Sequence, residues 1–271
     1  MKAQDLINRF PKIKKMLIYI YDYLYIEFFR GIIHSIHLLF PNEYSDLKRF
    51  KDIHKGEMCF IIGTGPSLRI EDLNKLKQHS VCTFSMNSII KAFDQTEWRP
   101  NYYGVQDSTV YKYLKSCYKK SDFVNTEVFY ADWLHHFPIE NGNKYYANLL
   151  WHWNKHKKQQ FGFSTQIDRQ ICDGYSSSYV MLQIAVYMGF SEIYLLGLDS
   201  NVPSAGNAHL SEAEYLDNAS IDRLRGTFQG QINAFEYAAN YLRNSGVHIY
   251  NATRGGCLEV FPRANFDELW T

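Results

Sequence analysis

Surplus charge, paired cysteines and long unbroken apolar runs are all missing from this sequence. Its 271 residues carry 29 Lys and Arg against 28 Asp and Glu, a net charge of +1. So small a surplus gives no electrostatic case for nucleic-acid binding. The five cysteines, Cys59, Cys82, Cys117, Cys172 and Cys257, are odd in number and none is spaced as CxxC. That argues against a disulfide framework and a structural zinc site, and it fits a reducing compartment. No signal-peptide pattern follows the polar start Met1-Lys2-Ala3-Gln4-Asp5, so a cytoplasmic location is expected. Internal repeats and low-complexity tracts are also missing. What remains is ordinary globular composition, 46% hydrophobic and 21% charged, enough to bury one core. Aromatics reach 16%. They supply core and interface mass, and can also line a sugar or base pocket.

Residues 16–40 form an aromatic-rich apolar stretch with helical character, interrupted by Asp22, Glu27, Arg30, His34 and His37. Those charges argue against a spanning helix. Lys12, Lys14 and Lys15 before it, and Lys48, Arg49 and Lys51 after it, suit a peripheral contact with the inner face of a membrane. The alternative is packing on the body or on a sister subunit in a homo-oligomer, because periodicity does not tell lipid from protein. Residues 42–56 are polar and read as a linker, so residues 1–56 form an N-terminal extension and 57–271 the catalytic domain.

Within that domain, apolar strands alternate with helices. Strands are expected at 58–62, 81–85, 102–105, 127–130, 192–196 and 247–250, and helices at 71–78, 177–188 and 229–244. The stretch 133–170, rich in His, Trp, Lys and Gln, reads as an inserted lid or acceptor-binding segment. This order implies a Rossmann-like α/β domain with a mostly parallel sheet. Ligands of such sheets bind beyond the carboxyl ends of the strands, which directs attention to the residues after each strand.

Five such tips are polar or glycine-rich. The first is Gly63-Thr64-Gly65-Pro66-Ser67. Glycines let backbone approach phosphate, although a plain tight turn would use them too. It lacks the lysine of a P-loop and the third glycine of the dinucleotide fingerprint. Asn87 follows the second strand and either meets a base or ribose or caps a helix. Gln106 and Asp107 follow the third, where Asp107 binds ribose or metal, or caps the helix after it. Gly197 and Asp199 end the fifth strand, with His209 in the loop behind them. Imidazole is the usual base near neutral pH, but an exposed loop histidine fits the spacing equally. Asn251 and Arg254 follow the last strand, and Arg254 either pairs with phosphate or is solvated. Ser177 opens the helix at 177–188.

These residues carry a resemblance. Phe60-Ile61-Ile62-Gly63-Thr64-Gly65-Pro66-Ser67-Leu68 resembles the opening segment of bacterial sialyltransferases and of the MptE-like (6-hydroxymethylpterin diphosphokinase-like) family. Ser85-Met86-Asn87 is similar to the second-strand tip of both. Met188-Gly189-Phe190-Ser191-Glu192-Ile193-Tyr194-Leu195-Leu196-Gly197-Leu198-Asp199 is similar to a sialyltransferase segment, and Asn251-Ala252-Thr253-Arg254-Gly255-Gly256 to an MptE-like signature. The likeness spans about residues 57 to 260. It implies a CMP-activated sialic-acid-like donor, a glycan or lipid-linked glycan acceptor, no metal, and a histidine base, which by position is His209. It maps the nucleotide contact of the family's asparagine onto Asn87. Thr64 stands where the sialyltransferases often have Asn. Tyr175 and Tyr179 are the candidates for steadying the leaving phosphate.

The expected function is inverting glycosyl transfer in surface-glycan biosynthesis, with no cofactor required. One alternative is an ATP- and Mg²⁺-dependent pterin diphosphokinase, for which Asp107 and Asp199 are the available carboxylates. Another is a non-catalytic nucleotide-binding subunit of a glycan-assembly complex.

Overall fold

The computed structural model describes residues 41–134, 142–148, 161–201 and 220–270, together with helical positions 20, 32, 36 and 39. Its centre is a seven-stranded parallel sheet with strands β1 (Met58–Ile62), β2 (Cys82–Met86), β3 (Tyr102–Val105), β4 (Glu127–Ala131), β5 (Asn143–Tyr145), β8 (Glu192–Leu196) and β9 (His248–Asn251). The strand order is β5-β4-β3-β2-β1-β8-β9, so the fold is α/β and Rossmann-like, as the alternation implies. A separate parallel pair joins β6 (Ala147–Asn148) to β7 (Ile171–Cys172).

Cys59, Phe60, Ile61 and Ile62 of β1 are all fully buried. A strand covered on both faces needs such a continuous apolar run rather than alternation. Cys59 and Ile61 join one core with Phe84, Phe129, Ile193 and Leu195, under helices α3 (Ser177–Tyr187) and α4 (Ser220–Leu242). Phe60 and Ile62 join the other with Tyr103, Val105 and Leu196, under α1 (Ile70–Gln78) and α2 (Ser108–Leu114). Helix α3 is buried on nearly every side, which matches a sequence without a polar face. The last helix is longer than the expected 229–244 and starts at Ser220.

Two expectations need correction. The stretch 42–56, read as a linker, packs against the body. Tyr44, Leu47 and Phe50 lie in the first core, and the amides of Asp52, His54 and Gly56 bond to the carbonyls of Tyr187, Met188 and Gly189. It thus satisfies carbonyls at the end of α3 that a helix terminus leaves open. Three apolar side chains spaced among charges were too sparse to read as core. Part of the region 133–170, read as an inserted lid, likewise belongs to the body. β5 extends the sheet edge beside β4, and Tyr145, Tyr146, Phe163 and Ile167 are buried. Residues 135–141 and 149–160 of that region lie outside the described residues.

Candidate functional site

The strand order reverses between β1 and β8. β1 leads outward through β2, β3, β4 and β5 on one side, and β8 and β9 lie on the other. Diverging connections leave a crevice beyond the strand ends at such a point. Register aligns the tips. Ile62 is opposite both Ser85 and Leu196, Met86 is opposite Gly104, and Leu195 is opposite Asn251. Residues 63–67, Asn87, Gln106, Gly197 to Asp199 and Asn251 therefore stand along one rim of the sheet.

The glycine loop is held by β8 itself. The Gly63 amide donates to Leu196 O at 2.8 Å and the Gly65 amide to Gly197 O at 2.9 Å. A methyl group on Gly63 would lie 2.4 Å from Gly197 O, and one on Gly65 1.9 Å from Asp199 Oδ2. Both glycines are explained by close approach of two chain segments. Their N–H groups do not face outward, contrary to the phosphate-cradle reading of the sequence. Gly197 has φ +67°, which glycine adopts at little cost.

Asp199 sits under this loop and is 8% exposed. Its Oδ2 accepts the Ser67 hydroxyl at 2.8 Å, and the Ser67 amide is 3.5 Å from the same atom. Burial raises its pKa above the usual aspartate range, and the Ser67 hydrogen bonds oppose that rise. The Cys257 amide donates to Asp199 O at 2.7 Å, so the β9 loop closes on the same residue.

Asn87 follows β2 in the left-handed region at φ +51°, a conformation Asn tolerates. Its backbone carbonyl accepts Tyr103 Oη at 2.8 Å and its Oδ1 the Ser177 hydroxyl at 3.4 Å. No hydrogen-bond acceptor among the described residues meets its side-chain Nδ2. Ser177 is the first residue of α3, whose cap Ser176 accepts the Tyr179 amide. The positive end of α3 is therefore beside Asn87.

Other rim residues serve the fold. Asp107 caps α2, accepting the amides of Thr109 at 2.6 Å and Val110 at 3.1 Å. Asn251 is fully buried, donating to Leu258 O at 2.6 Å and accepting the Thr253 amide at 3.0 Å. Arg254 makes a two-pronged ion pair with Asp72, at 2.7 and 2.9 Å, and reaches Asp267 at 2.7 Å. Those hydrogen bonds raise its already high pKa. Gln106 donates to Asp173 Oδ1 at 3.2 Å, and its backbone carbonyl accepts the Trp133 indole at 2.6 Å. Tyr179 is buried and its hydroxyl donates to Gly162 O, while Tyr175 lies at φ +64° with its ring against Gly230. His209 lies outside the described residues.

Sequence reasoning missed Asp173 and a chain of hydroxyl and amide groups beside it. Asp173 is buried, accepts the Tyr175 amide at 2.9 Å, and adds to burial in pushing the Tyr145 phenol pKa up. Ser200 donates to Gln231, Gln231 to Ser178, and Ser178 meets Ser176, linking the tip of β8 to α4 and to the start of α3. β7 is only two residues long and gives no periodic signal. The turn pair Asp173-Gly174 was the available cue.

A family model described as 6-hydroxymethylpterin diphosphokinase MptE-like matches residues 34–204. No curated protein matches. Among solved structures, the MAf glycosyltransferase of Magnetospirillum magneticum AMB-1 aligns with a TM-score of 0.53 at 15% identity, over 84% of this chain. The chain spans 38% of that protein's length, and an identity so low speaks for the fold alone. An enoyl-acyl carrier protein reductase of Bacillus cereus, in complex with NADP+ and indole naphthyridinone, aligns at a TM-score of 0.27 with 11% identity, over 80% of this chain and 79% of the other. That score is too low to carry an argument.

Proposed function

Because the chain belongs to the MptE-like family, whose model covers residues 34–204, we propose that it binds a nucleotide-sugar at the β1/β8 rim and transfers the sugar. The observation that carries this reading is the reversal of strand order between β1 and β8, with Asn87, Ser67 and Asp199 at the tips of three adjacent strands. The fold shared with a MAf glycosyltransferase supports it.

In this reading the donor is a CMP-activated sialic-acid-like sugar, and the acceptor is a glycan or a lipid-linked glycan of the cell surface. Transfer inverts the sugar. His209 takes the acceptor's proton as the new bond forms, and CMP leaves. The Asn87 amide, the Ser177 hydroxyl and the start of α3 stabilise the charge on the leaving phosphate. No metal is required, since the leaving group carries one phosphate.

Melting the full chain with CMP, CDP, UDP, GDP and ATP, each with and without Mg²⁺, tests the donor class, because a ligand of the native state raises Tm. Stabilisation by CMP alone supports this reading. With a CMP-sugar donor, His209→Ala is expected to lose roughly a hundredfold or more in turnover. Near-wild-type turnover removes His209 from the base role.

The description of the family favours a second reading, an ATP-dependent diphosphokinase. Of the two carboxylates considered for its metal, Asp107 already caps α2. Stabilisation by ATP only with Mg²⁺ would favour this alternative. Binding of a nucleotide without turnover of any donor would instead favour a non-catalytic subunit.

The peripheral membrane contact is part of the same proposal. No helix among the described residues is long and apolar enough to cross a membrane. Ile32, Ile36 and Leu39 are exposed by 43%, 49% and 74%, and their spacing puts them on one helix face. Replacing all three by Ser is expected to abolish sedimentation with anionic liposomes. Unchanged sedimentation rejects the contact. A change of oligomeric state instead assigns the face to a sister subunit.

A further inference from the structure

Asp199 stands where an anion would have to sit if residues 63–67 bound phosphate. Its Oδ2 lies against the hydroxyl and amide of Ser67. A methyl group on Gly65 would lie 1.9 Å from that oxygen, so the glycine clears room for a carboxylate of the chain itself. The Gly63 and Gly65 amides are bonded to Leu196 and Gly197. Two of the N–H groups that a phosphate loop would offer are thus occupied. No Lys, Arg or His among the described residues forms an ion pair with Asp199. A ligand phosphate would meet like charge in a poorly screened setting.

We propose that the joint tip of β1 and β8 reads the ribose diol of the bound nucleotide, with Asp199 accepting its hydroxyls, and that it refuses phosphate. This rests on the nucleotide reading above. An ionised carboxylate only accepts hydrogen bonds, so the ligand group beside it must donate. Oδ2 is held by Ser67 and the carboxylate also accepts the Asp199 amide, while no side chain among the described residues donates to Oδ1. A ribose diol supplies neutral hydroxyl donors of the kind that Oδ1 can accept. The Ser67 hydroxyl acts as a positioning group that fixes the carboxylate for them.

The test uses the full chain, wild type and Asp199→Asn, with three probes: CMP, its 2′,3′-dideoxy analogue and inorganic pyrophosphate. Wild type is expected to bind CMP roughly ten- to hundredfold more tightly than the dideoxy analogue, the range for a hydrogen bond to a charged group. In Asp199→Asn that preference falls to about threefold or less, since a neutral acceptor remains. Pyrophosphate is expected to raise the Tm of the variant more than that of wild type.

Equal binding of CMP and the dideoxy analogue by wild type overturns the ribose assignment. An equal pyrophosphate response in the two proteins overturns the exclusion of anions. If wild type binds no nucleotide while the variant gains pyrophosphate, the nucleotide reading falls and the ribose assignment with it, but the exclusion of anions stands. Should Asp199→Asn fail to fold, the CMP and dideoxy measurements on wild type decide the ribose assignment. Ser67→Ala, which frees the Ser67 side of Oδ2, then replaces it with an expected weakening of the ribose preference, and an unchanged preference counts against the proposal.

Discussion

Residues 63–67 and residues 251–256 flank β8 on its two sides, and both loops close on Asp199. In the first, Gly65 makes room for the Asp199 carboxylate. In the second, Gly256 lies against the Asp199 carbonyl, where a methyl group would approach to 2.7 Å. Both follow a strand, and both are glycine-rich and polar. They differ in where their polar groups go. Asn251 bonds to Leu258 and Thr253 within its own loop, and Arg254 is held by Asp72 and Asp267. The first loop instead spends its Ser67 hydroxyl and amide on the Asp199 carboxylate at the rim. A glycine-rich strand tip therefore means close approach of two backbones. Whether it also faces a ligand depends on which polar groups the fold leaves unanswered.

The sharpest way to break this comparison is to fill the space behind each glycine. Gly65→Ala drives a methyl group into the Asp199 carboxylate and to 2.7 Å from Gly197 O. It is expected to cost about 4 kcal/mol in denaturant unfolding, near the top of single-site effects. Gly255→Ala meets nothing within 4 Å, and only its φ of +68° opposes a side chain. Its cost should be about 1 kcal/mol. Equal costs would show that close packing on β8 does not set the first loop.

Asn251→Ala comes next. It leaves the Leu258 carbonyl and the Thr253 amide unanswered in a fully buried place. A loss of about 3 kcal/mol is expected, with ligand affinity per folded molecule unchanged. If affinity falls while stability holds, Asn251 belongs to the ligand and not to the lock. Arg254→Ala strands the buried carboxylate of Asp72, 4% exposed. Because Arg254 itself is 23% exposed, about 2 kcal/mol is expected rather than the full cost of a broken buried pair. A loss below about 0.5 kcal/mol, typical of exposed pairs, would reduce the brace to a surface contact.

The sheet was legible in the sequence because burial on both faces demands uninterrupted runs such as Cys59-Phe60-Ile61-Ile62. The rim was legible for the same reason, since the end of each run locates a tip. The direction of each polar group was not legible. Asp107 as a ligand acid and Asp107 as a helix cap have identical sequence, and only the amides of Thr109 and Val110 decide between them. The N–H groups of Gly63 and Gly65 were misread because their acceptors, on Leu196 and Gly197, are far away along the chain. Short elements escaped altogether. Two-residue β7 has no period, and the core contacts of Tyr44, Leu47 and Phe50 are hidden among charges.

The smallest expected effect concerns Asp199 itself and separates burial from hydrogen bonding. Burial holds its folded pKa above the unfolded value, with Ser67 opposing. Between those two pKa values the folded chain binds more protons than the unfolded chain, so stability falls as pH rises through that window. Above the folded pKa the full penalty of a buried carboxylate applies, and below the unfolded pKa it is absent. Asparagine has nearly the same shape and does not ionise. Asp199→Asn should therefore gain on wild type at neutral pH, and the gap should narrow as pH drops into the acidic range. Denaturant unfolding of both proteins across that range measures it. A gap that does not change with pH would mean that the Ser67 hydroxyl and amide fully offset burial at this position. The carboxylate would then be as comfortable at the crevice as in water, and its raised pKa would cease to distinguish the β8 tip from the locked tip of β9.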